Sequence, residues 1–262
     1  MTPTVVFLTD FGLADSFLGV MKGALLRVHP PTRILDLNHS IDSFNVRQGA
    51  WELMTQFSYF PKGSLFVAVV DPGVGSPRKI LLAKTEHYTF LAPDNGILSW
   101  VFEKQKPRKV YSVEADRYFL KPVSRTFHGR DVFAPVAGHW ANGVPPQKFG
   151  PEVQTWKTIP FPNPKEMKNR WVGEVMQIDR FGNLFTNFPN DWIEGEERDQ
   201  TLLQIRRVRI PKISESYSDR TAGQWVAVPG SHGFLEIALC QGSAAETLNV
   251  REGEPVTLSL KP

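Results

Sequence analysis

The sequence predicts an α/β protein with a mainly parallel sheet in its first half and a smaller all-β domain in its second. Strand and helix patterns alternate up to about residue 150, which favours a parallel sheet covered by helices. Residues 151–170 then carry four prolines and few apolar runs, as linkers do. Beyond residue 171 the patterns are short strands separated by turns, with no helical periodicity.

The first half alternates buried-strand runs with amphipathic helices. The first helix is predicted over residues 15–28, capped by Asp15 or Ser16 and ended by the His-Pro-Pro at 29–31. Its expected apolar stripe is Phe17, Val20, Met21, Ala24, Leu25 and Val28. The predicted strands are 5–8, 33–37, 65–70, 80–83, 88–91 and 109–113. The other predicted helices are 46–57, 97–102 and 132–140.

The second half is predicted to form a barrel or sandwich. Its strand patterns are 171–178, 202–210, 225–228, 234–239 and 256–260. We therefore expect an N-terminal domain over 1–160, a linker over 161–170 and a C-terminal domain over 171–262.

Composition excludes several classes of protein. The net charge of +3 is weak, and the arginines at 206, 207 and 209 alternate like a solvated strand face, so no nucleic-acid partner is expected. The single cysteine, Cys240, excludes an internal disulfide and a cysteine metal cluster, which fits a reducing cytoplasm. No apolar run approaches the ~20 residues of a membrane helix, and the N-terminus lacks signal-peptide features. We expect a cytoplasmic protein without a membrane partner.

The most informative segment is the loop from Asp71 to Arg78. It follows the apolar run 65–70, and open α/β sheets bind ligands at the carboxyl edge where such strands end. The loop matches neither a P-loop nor the dinucleotide fingerprint. A carboxylate and a guanidinium on one glycine-rich loop indicate chemistry; the alternative is a Pro-Gly turn with a surface salt bridge.

Other polar residues also follow predicted strands. Asp10 can accept both hydroxyls of a ribose, or can be a turn residue. The Asp-Asn-Gly at 94–96 is interpreted as a turn or a helix cap. His128 precedes a helix, and with Asp131 it is compatible with a metal site without being specific for one. His39 and His139 are interpreted as structural.

Six segments together resemble the S-adenosyl-L-methionine (SAM) hydrolase (adenosine-forming) family. They are TDFG at 9–12, VDPGVG at 70–75 with Arg78, APDNG at 92–96, TFHGRD at 126–131, IDRFGNL at 178–184 and LEIA at 235–238. The family is also called SAM hydroxide adenosyltransferase and is related to fluorinase and chlorinase; the resemblance runs from about residue 5 to residue 255. It implies a Rossmann-like N-terminal domain and a β-barrel C-terminal domain. It also implies a homotrimer with active sites between subunits, and SAM as substrate without a cofactor or metal.

The resemblance assigns the catalytic set to Asp71, Arg78 and His128. The implied reaction is attack of water or hydroxide on C5′ of SAM, giving adenosine and methionine. Arg78 stays protonated, so it can orient water and stabilise developing hydroxide but cannot be the base. Either Asp71 or His128 takes the proton, and the sequence does not decide between them. Related halogenases differ at the Asp and His positions and carry a small polar group where Gly129 stands, which favours water as nucleophile.

The resemblance also implies the substrate contacts. Asp10 would bind the ribose hydroxyls, and Phe44 would form an aromatic wall of the ribose pocket. Gly129 would also contact the substrate. The groups expected to hold the methionine part are Asp15, Asp179 and Ser231, and those expected near adenine are Phe181 and Asn183. Two departures affect these contacts: His232 stands where halogenases have Arg, and Cys240 where Asn is expected.

Three alternatives remain at this point. One is a SAM-dependent halogenase. Another is a non-catalytic sensor of adenosine or SAM. The third is a metal-dependent phosphohydrolase, whose ligands would be Asp10, Asp71, Asp94, His128 and Asp131.

Overall fold

The structure is a computed structural model and describes residues 2–168, 170–193 and 197–260. The chain divides into two compact units, Met1–Pro160 and Phe161–Pro262. The strands of the first unit are β1 Thr4–Thr9, β2 Arg33–Asn38, β3 Leu65–Val69, β4 Ile80–Lys84, β5 Thr89–Pro93 and β6 Lys109–Ser112. Its helices are α1 Phe17–Val28, α2 Val46–Gln56, α3 Ser99–Lys104 and α4 Ala134–Ala141.

The first unit is built on one six-stranded sheet with the order β2-β1-β3-β5-β4-β6. Strand β1 runs parallel to β2 and β3, and β3 runs parallel to β5. Only β4 is antiparallel to its neighbours, β5 and β6. The predicted mainly parallel sheet is therefore confirmed. Because β1 and β3 are adjacent, Asp10 and Asp71 follow them at the same edge of the sheet.

Both faces of this sheet are covered. Val5, Phe7 and Val67 pack with α1 and α4, and the alternate residues Val6 and Phe66 are buried as well. This arrangement explains why the strands are continuous apolar runs rather than alternating ones.

The helix predictions need two corrections. Phe17 and Val20, expected within the apolar stripe of α1, are substantially exposed, and Leu18 is buried instead. Ser16 stands at the N-cap with helical backbone angles, so neither predicted side-chain cap forms there. Helix α2 does have such a cap, because the Asn45 side chain accepts a hydrogen bond from Gln48 N.

The second unit is an antiparallel, nearly closed barrel, which confirms the predicted all-β domain. Its strands are β7 Lys165–Glu166, β8 Trp171–Ile178, β9 Leu184–Pro189, β10 Thr201–Ile205, β11 Val208–Ile210, β12 Trp225–Pro229, β13 Phe234–Leu239 and β14 Pro255–Leu260. Two short helices accompany them, α5 Glu197–Gln200 and α6 Ala244–Leu248. The strand order is β11-β10-β14-β8-β9-β13-β12, with β7 beside β8 and the end strands β11 and β12 in contact.

The predicted strand over 202–210 is a hairpin, formed by β10 and β11. Arg206 lies in the turn with a φ of 48°, and its guanidinium donates to Leu248 O at 2.6 Å and to Glu254 Oε1 at 2.9 Å. The arginines therefore do not form one alternating strand face. Strand β9 was not predicted because Thr186 and Asn187 interrupt its apolar pattern. Thr186 is nonetheless buried, with its hydroxyl donating to Leu235 O at 2.7 Å.

Helix α6 also contradicts the expectation of no helix in this half of the chain. The Ser243 side chain accepts from Glu246 N, and Asn249 ends the helix in the left-handed conformation. Within the described ranges, every helix is too short or too polar to cross a membrane.

Candidate active site

A buried ion pair joins the two ends of the loop between β3 and β4. Arg78 Nε lies 2.7 Å from each carboxylate oxygen of Asp71, and Arg78 Nη2 also donates to Oδ2. Both side chains are only 5% exposed. Gly73 N donates to Asp71 Oδ1 at 3.2 Å. Since a buried charge is costly without a partner, this pair is a built feature of the loop and not a surface salt bridge.

The same loop packs closely against the segment that carries His128. Gly75 has a φ of 78°, and a Cβ at this position would overlap the carbonyl oxygen of Arg125. Only glycine tolerates both conditions. The close approach brings Arg78 Nη2 to within 3.2 Å of His128 Nδ1.

This contact determines which ring nitrogen of His128 carries the proton. A guanidinium only donates hydrogen bonds, so Nδ1 accepts and the proton of the neutral imidazole is on Nε2. Burial lowers the pKa of His128, and the charge of Arg78 lowers it further, against the opposing effect of Asp71 and Asp131. His128 is therefore neutral near pH 7.

Asp131 holds the His128 segment in place. Its side chain is fully buried and accepts from Ser124 N at 2.7 Å and from Arg130 Nε at 2.5 Å. Burial alone would raise the pKa of Asp131, but the Arg130 and Ser124 hydrogen bonds lower it. Arg130 also stacks over the Phe127 ring at 5.3 Å. A π-helical turn, Gly129–Phe133, then leads into α4.

A pocket of about 340 Å³ opens at this edge of the first unit. Its size is typical of small-molecule sites. The predicted site residues that line it are Asp10, Asp15, Phe44, Asp71, His128 and Gly129. Arg78 lies beside them, bonded to Asp71 and His128. The structure thus brings together all seven site residues predicted in this half of the chain.

Three aromatic rings in the pocket wall were not predicted as site residues. Phe11, Phe17 and Phe127 pack edge to face or tilted, with ring centroids 5.2–6.1 Å apart. Phe17 was interpreted as part of a helix core stripe. A Cβ on Gly129 would lie 3.2 Å from the Phe127 ring and 3.3 Å from the Phe11 ring. The position of Phe11 within the TDFG motif was the available signal.

Asp10 is tied to the opposite wall of the pocket. Its Oδ2 accepts from Phe44 N at 2.8 Å. Phe44 has a φ of 68°, unusual for a residue other than glycine, and the residue is 66% exposed. Burial raises the pKa of Asp10, with a further contribution from Asp71 and an opposing one from the Phe44 N–H.

The remaining predicted residues lie in the second unit. Asp179, in the β8–β9 loop, accepts from Phe181 N at 2.9 Å and from Asn183 N at 2.8 Å. Phe181 and Asn183 line a second pocket of about 450 Å³, together with Cys240. Ser231 lies in the β12–β13 turn, beside His232, whose ring packs on that of Phe185 at 4.3 Å. Asp179, Phe181 and Asn183 therefore lie together in one loop of the second unit, and Ser231 lies in another.

Two of the five side chains proposed for a metal site, Asp94 and Asp131, are engaged elsewhere. Asp94 accepts from Lys157 N at 2.7 Å, and Asn95 donates to Val70 O at 2.8 Å, in agreement with the structural interpretation of this turn. Asp131 is occupied by Arg130 and Ser124 N. Among the residues that the structure describes, no three His, Cys, Asp or Glu side chains are grouped as a metal site requires.

Comparison with known proteins identifies relatives over nearly the whole chain. The family model of the SAM hydroxide adenosyltransferase N-terminal domain matches residues 5–150, and that of the C-terminal domain matches residues 173–257. An (R)-S-adenosyl-L-methionine hydrolase from Thermus thermophilus is 36% identical, covering 97% of this chain and 98% of that protein. A fluorinase from Actinopolyspora mzabensis is more distant, at 24% identity over 98% of this chain and 97% of that protein.

A solved structure shows the same fold. The crystal structure of an uncharacterized conserved protein from Thermotoga maritima superimposes with a TM-score of 0.92 and 34% sequence identity. It covers 97% of this chain, and this chain covers 99% of it.

Proposed function

The chain belongs to the SAM hydroxide adenosyltransferase family, and from this premise we propose that it hydrolyses SAM by attack of water at C5′, giving adenosine and L-methionine. The observation that carries the proposal is the buried contact of Asp71, Arg78 and His128 at the wall of the first-unit pocket. The full-length similarity to a SAM hydrolase at 36% identity supports it.

In the proposed reaction, the nucleophile needs assistance and the leaving group does not. The sulfonium of SAM leaves as a neutral thioether, so departure needs no acid. The site has to hold an oxygen nucleophile in line with the C5′–S bond, and such positioning can contribute about 7–11 kcal/mol of the barrier. No cofactor takes part in the proposed reaction.

We assign the proton acceptor to Asp71. The unprotonated nitrogen of His128 faces Arg78, so its other nitrogen offers the pocket an N–H and not a lone pair. The single proton of Arg78 Nε is shared between both carboxylate oxygens, and Arg78 Nη2 and Gly73 N donate one hydrogen bond each, so three donors occupy about four acceptor sites of the Asp71 carboxylate and leave it able to accept from water. Asp71 therefore takes the proton of water, His128 Nε2–H orients the oxygen, and Arg78 stabilises developing hydroxide.

The proposed substrate contacts involve residues of both units. Asp10 accepts from the ribose hydroxyls and Phe44 walls the ribose. Asp15, Asp179 and Ser231 bind the methionine ammonium and carboxylate, and Phe181 and Asn183 contact adenine. Phe44 and Phe181 are exposed, and exposed aromatic residues are typical of a surface that another surface covers. This supports a site that is completed by residues from a second surface. We propose a homotrimer, in which each site combines the first-unit residues of one subunit with the second-unit residues of another.

Product analysis tests this function against halogenation. Chelator-treated protein and untreated protein are each incubated with SAM alone, with chloride or with fluoride, and the products are separated by liquid chromatography. Adenosine and L-methionine in equal amounts under all three conditions are expected. A 5′-halo-5′-deoxyadenosine would favour the halogenase alternative. Adenosine-free mixtures with retained SAM binding would favour a sensor, and loss of turnover with the chelator would favour the metal alternative.

A further inference from the structure

A row of polar contacts lies behind the loop that carries Asp10, from the buried Thr9 and His39 to the half-exposed Asp36, and neither the proposed chemistry nor the pocket uses it. Thr9, the last residue of β1, is fully buried, and its Oγ1 lies 2.8 Å from His39 Nδ1. His39 follows β2, and its side chain is 4% exposed. His39 Nε2 lies 3.0 Å from Asp36 Oδ1, and Lys22 donates to Asp36 Oδ2 at 2.7 Å.

The donors and acceptors of this row have one consistent order. Because His39 Nε2 lies beside the Asp36 carboxylate, the proton of the neutral imidazole is on Nε2, and Nδ1 accepts a hydrogen bond from the Thr9 hydroxyl. The Thr9 oxygen in turn accepts from Phe11 N at 3.3 Å. The approach of Nε2 to Asp36 Oδ1 is electrostatic, because its geometry is not that of a hydrogen bond. Burial lowers the pKa of His39, although the Asp36 carboxylate opposes this, which keeps the ring in the neutral form that the order requires.

His39 also binds the loop through its backbone. Gly12 N donates to His39 O at 2.8 Å, so the residue holds the chain on both sides of Asp10, at Thr9 and at Gly12. Five residues later, Phe44 N donates to the Asp10 carboxylate itself. The 39–44 segment and the 9–12 loop are thus tied together at three points around one side chain of the pocket.

We propose that His39 is a positioning residue for the Asp10 carboxylate, acting through Thr9 and Gly12 to fix it for the two ribose hydroxyls. This inference rests on the proposed function, because it needs Asp10 to bind the ribose. A bidentate contact with two hydroxyls tolerates little displacement, and positioning by packed, hydrogen-bonded neighbours supplies that precision. The earlier interpretation of His39 as merely structural is replaced by a role that can be measured at the ligand.

The test compares two nucleosides that differ only in the hydroxyls that Asp10 would bind. Dissociation constants for adenosine and for 2′,3′-dideoxyadenosine are measured by calorimetry with saturating L-methionine, and their ratio is the readout. Thr9→Val removes the hydroxyl and keeps the volume, and Thr9→Ser is its matched control. His39→Leu removes the acceptor for Thr9, and His39→Asn keeps an acceptor near the Nδ1 position.

We expect the wild-type protein to prefer adenosine. Thr9→Val and His39→Leu should reduce that preference about tenfold, the effect of roughly one hydrogen bond, while Thr9→Ser and His39→Asn retain most of it. If Thr9→Val and His39→Leu do not fold, Asp36→Ala interrupts the row at its half-exposed outer end and should reduce the preference by a smaller factor.

The outcomes separate the two claims. The ratio of the two dissociation constants could stay at its wild-type value in every variant, whether both affinities are unchanged or both fall by the same factor. That result would overturn the positioning role and leave the proposed hydrolysis intact. A wild-type protein that binds both nucleosides alike would overturn the ribose role of Asp10, and this inference with it. SAM hydrolysis itself is judged separately, by its products.

Discussion

Arg78 Nη2 lies 3.2 Å from His128 Nδ1, although 50 residues separate the two along the chain. The same guanidinium is paired with Asp71, so one cation joins the carboxylate and the imidazole. Since a guanidinium cannot accept a hydrogen bond, the contact directs the N–H of His128 away from Arg78. The division of roles between Asp71 and His128 follows from this orientation, and the predictions below test it.

Asp71→Asn is expected to lower turnover about 10²- to 10⁴-fold, the usual contribution of a general base, with SAM affinity changed far less. The amide keeps the shape of the side chain but cannot take a proton from water. Single-turnover kinetics and calorimetry measure the two effects separately. Thermal unfolding serves as the control, because loss of a buried charge partner can destabilise a fold by about 3–5 kcal/mol. Weakened binding with normal turnover of bound SAM would contradict the assignment.

Two substitutions of His128 distinguish a hydrogen-bond donor from a base. Glutamine places an N–H near the position of Nε2, so His128→Gln should keep part of the turnover that His128→Ala loses. The measurement is the turnover number of both variants at saturating SAM, with affinity as the control. If the glutamine variant is as slow as the alanine variant, and Asp71→Asn stays active, His128 is the base.

Acid is expected to reduce the stability of the folded chain. Burial lowers the pKa values of His39, His128 and His139 from an ordinary value of 6.5. Below pH 6.5 the unfolded chain therefore binds protons that the folded chain does not, and unfolding becomes easier as the pH falls through this window. Thermal unfolding between pH 5 and 8 measures the effect, and His39→Asn should flatten the acid slope. An unfolding temperature that is constant over this range would contradict the prediction.

Gly129→Ser is expected to weaken SAM binding without creating halide transfer. Even a Cβ at this position lies 3.2–3.3 Å from the Phe127 and Phe11 rings, so these rings have to shift. Gly129→Ala is the matched control, since it adds the same Cβ without a hydroxyl. Calorimetry with SAM and product analysis in chloride and fluoride give the two readouts. A halogenated product from the serine variant alone would show that this position selects the nucleophile.

The proposed homotrimer predicts complementation between two inactive variants. His128→Ala alters the first unit and Asp179→Ala alters the second, so a site shared between subunits can combine two intact groups. Random reassembly of equal amounts should restore about a quarter of the wild-type activity. Light scattering should give the mass of three 29.6-kDa chains. Mixed samples that remain inactive although their subunits exchange would contradict a shared site.

The sequence was sufficient for the elements whose burial follows a simple period. Apolar runs such as 65–70 indicated strands buried on both faces, and they placed Asp10 and Asp71 at one edge of the sheet. Strand β9 was missed because buried Thr186 and Asn187 resemble loop residues until their hydrogen bonds are known. The turn at Arg206 lacked a glycine signal, because a non-glycine residue adopts the left-handed conformation there.

The site was predictable as a set of residues but not as a geometry. The family motifs identified Asp71, Arg78 and His128, while their contact depends on how closely the Gly75 backbone approaches Arg125. Hydrogen-bond direction also requires coordinates, so the sequence left the base unassigned. The aromatic wall of Phe11, Phe17 and Phe127 was hidden because Phe17 fits the helix period that signals a core residue.

The most direct test of the central claim is the fate of the water oxygen. The protein is incubated with SAM in oxygen-18-labelled water, and the adenosine is analysed by mass spectrometry with fragmentation that separates the ribose oxygens. Attack at C5′ by the water held at Asp71, Arg78 and His128 predicts adenosine with one labelled oxygen at O5′ and unlabelled methionine. Adenosine without label at O5′, or a product in which the C5′–S bond is intact, would contradict the account.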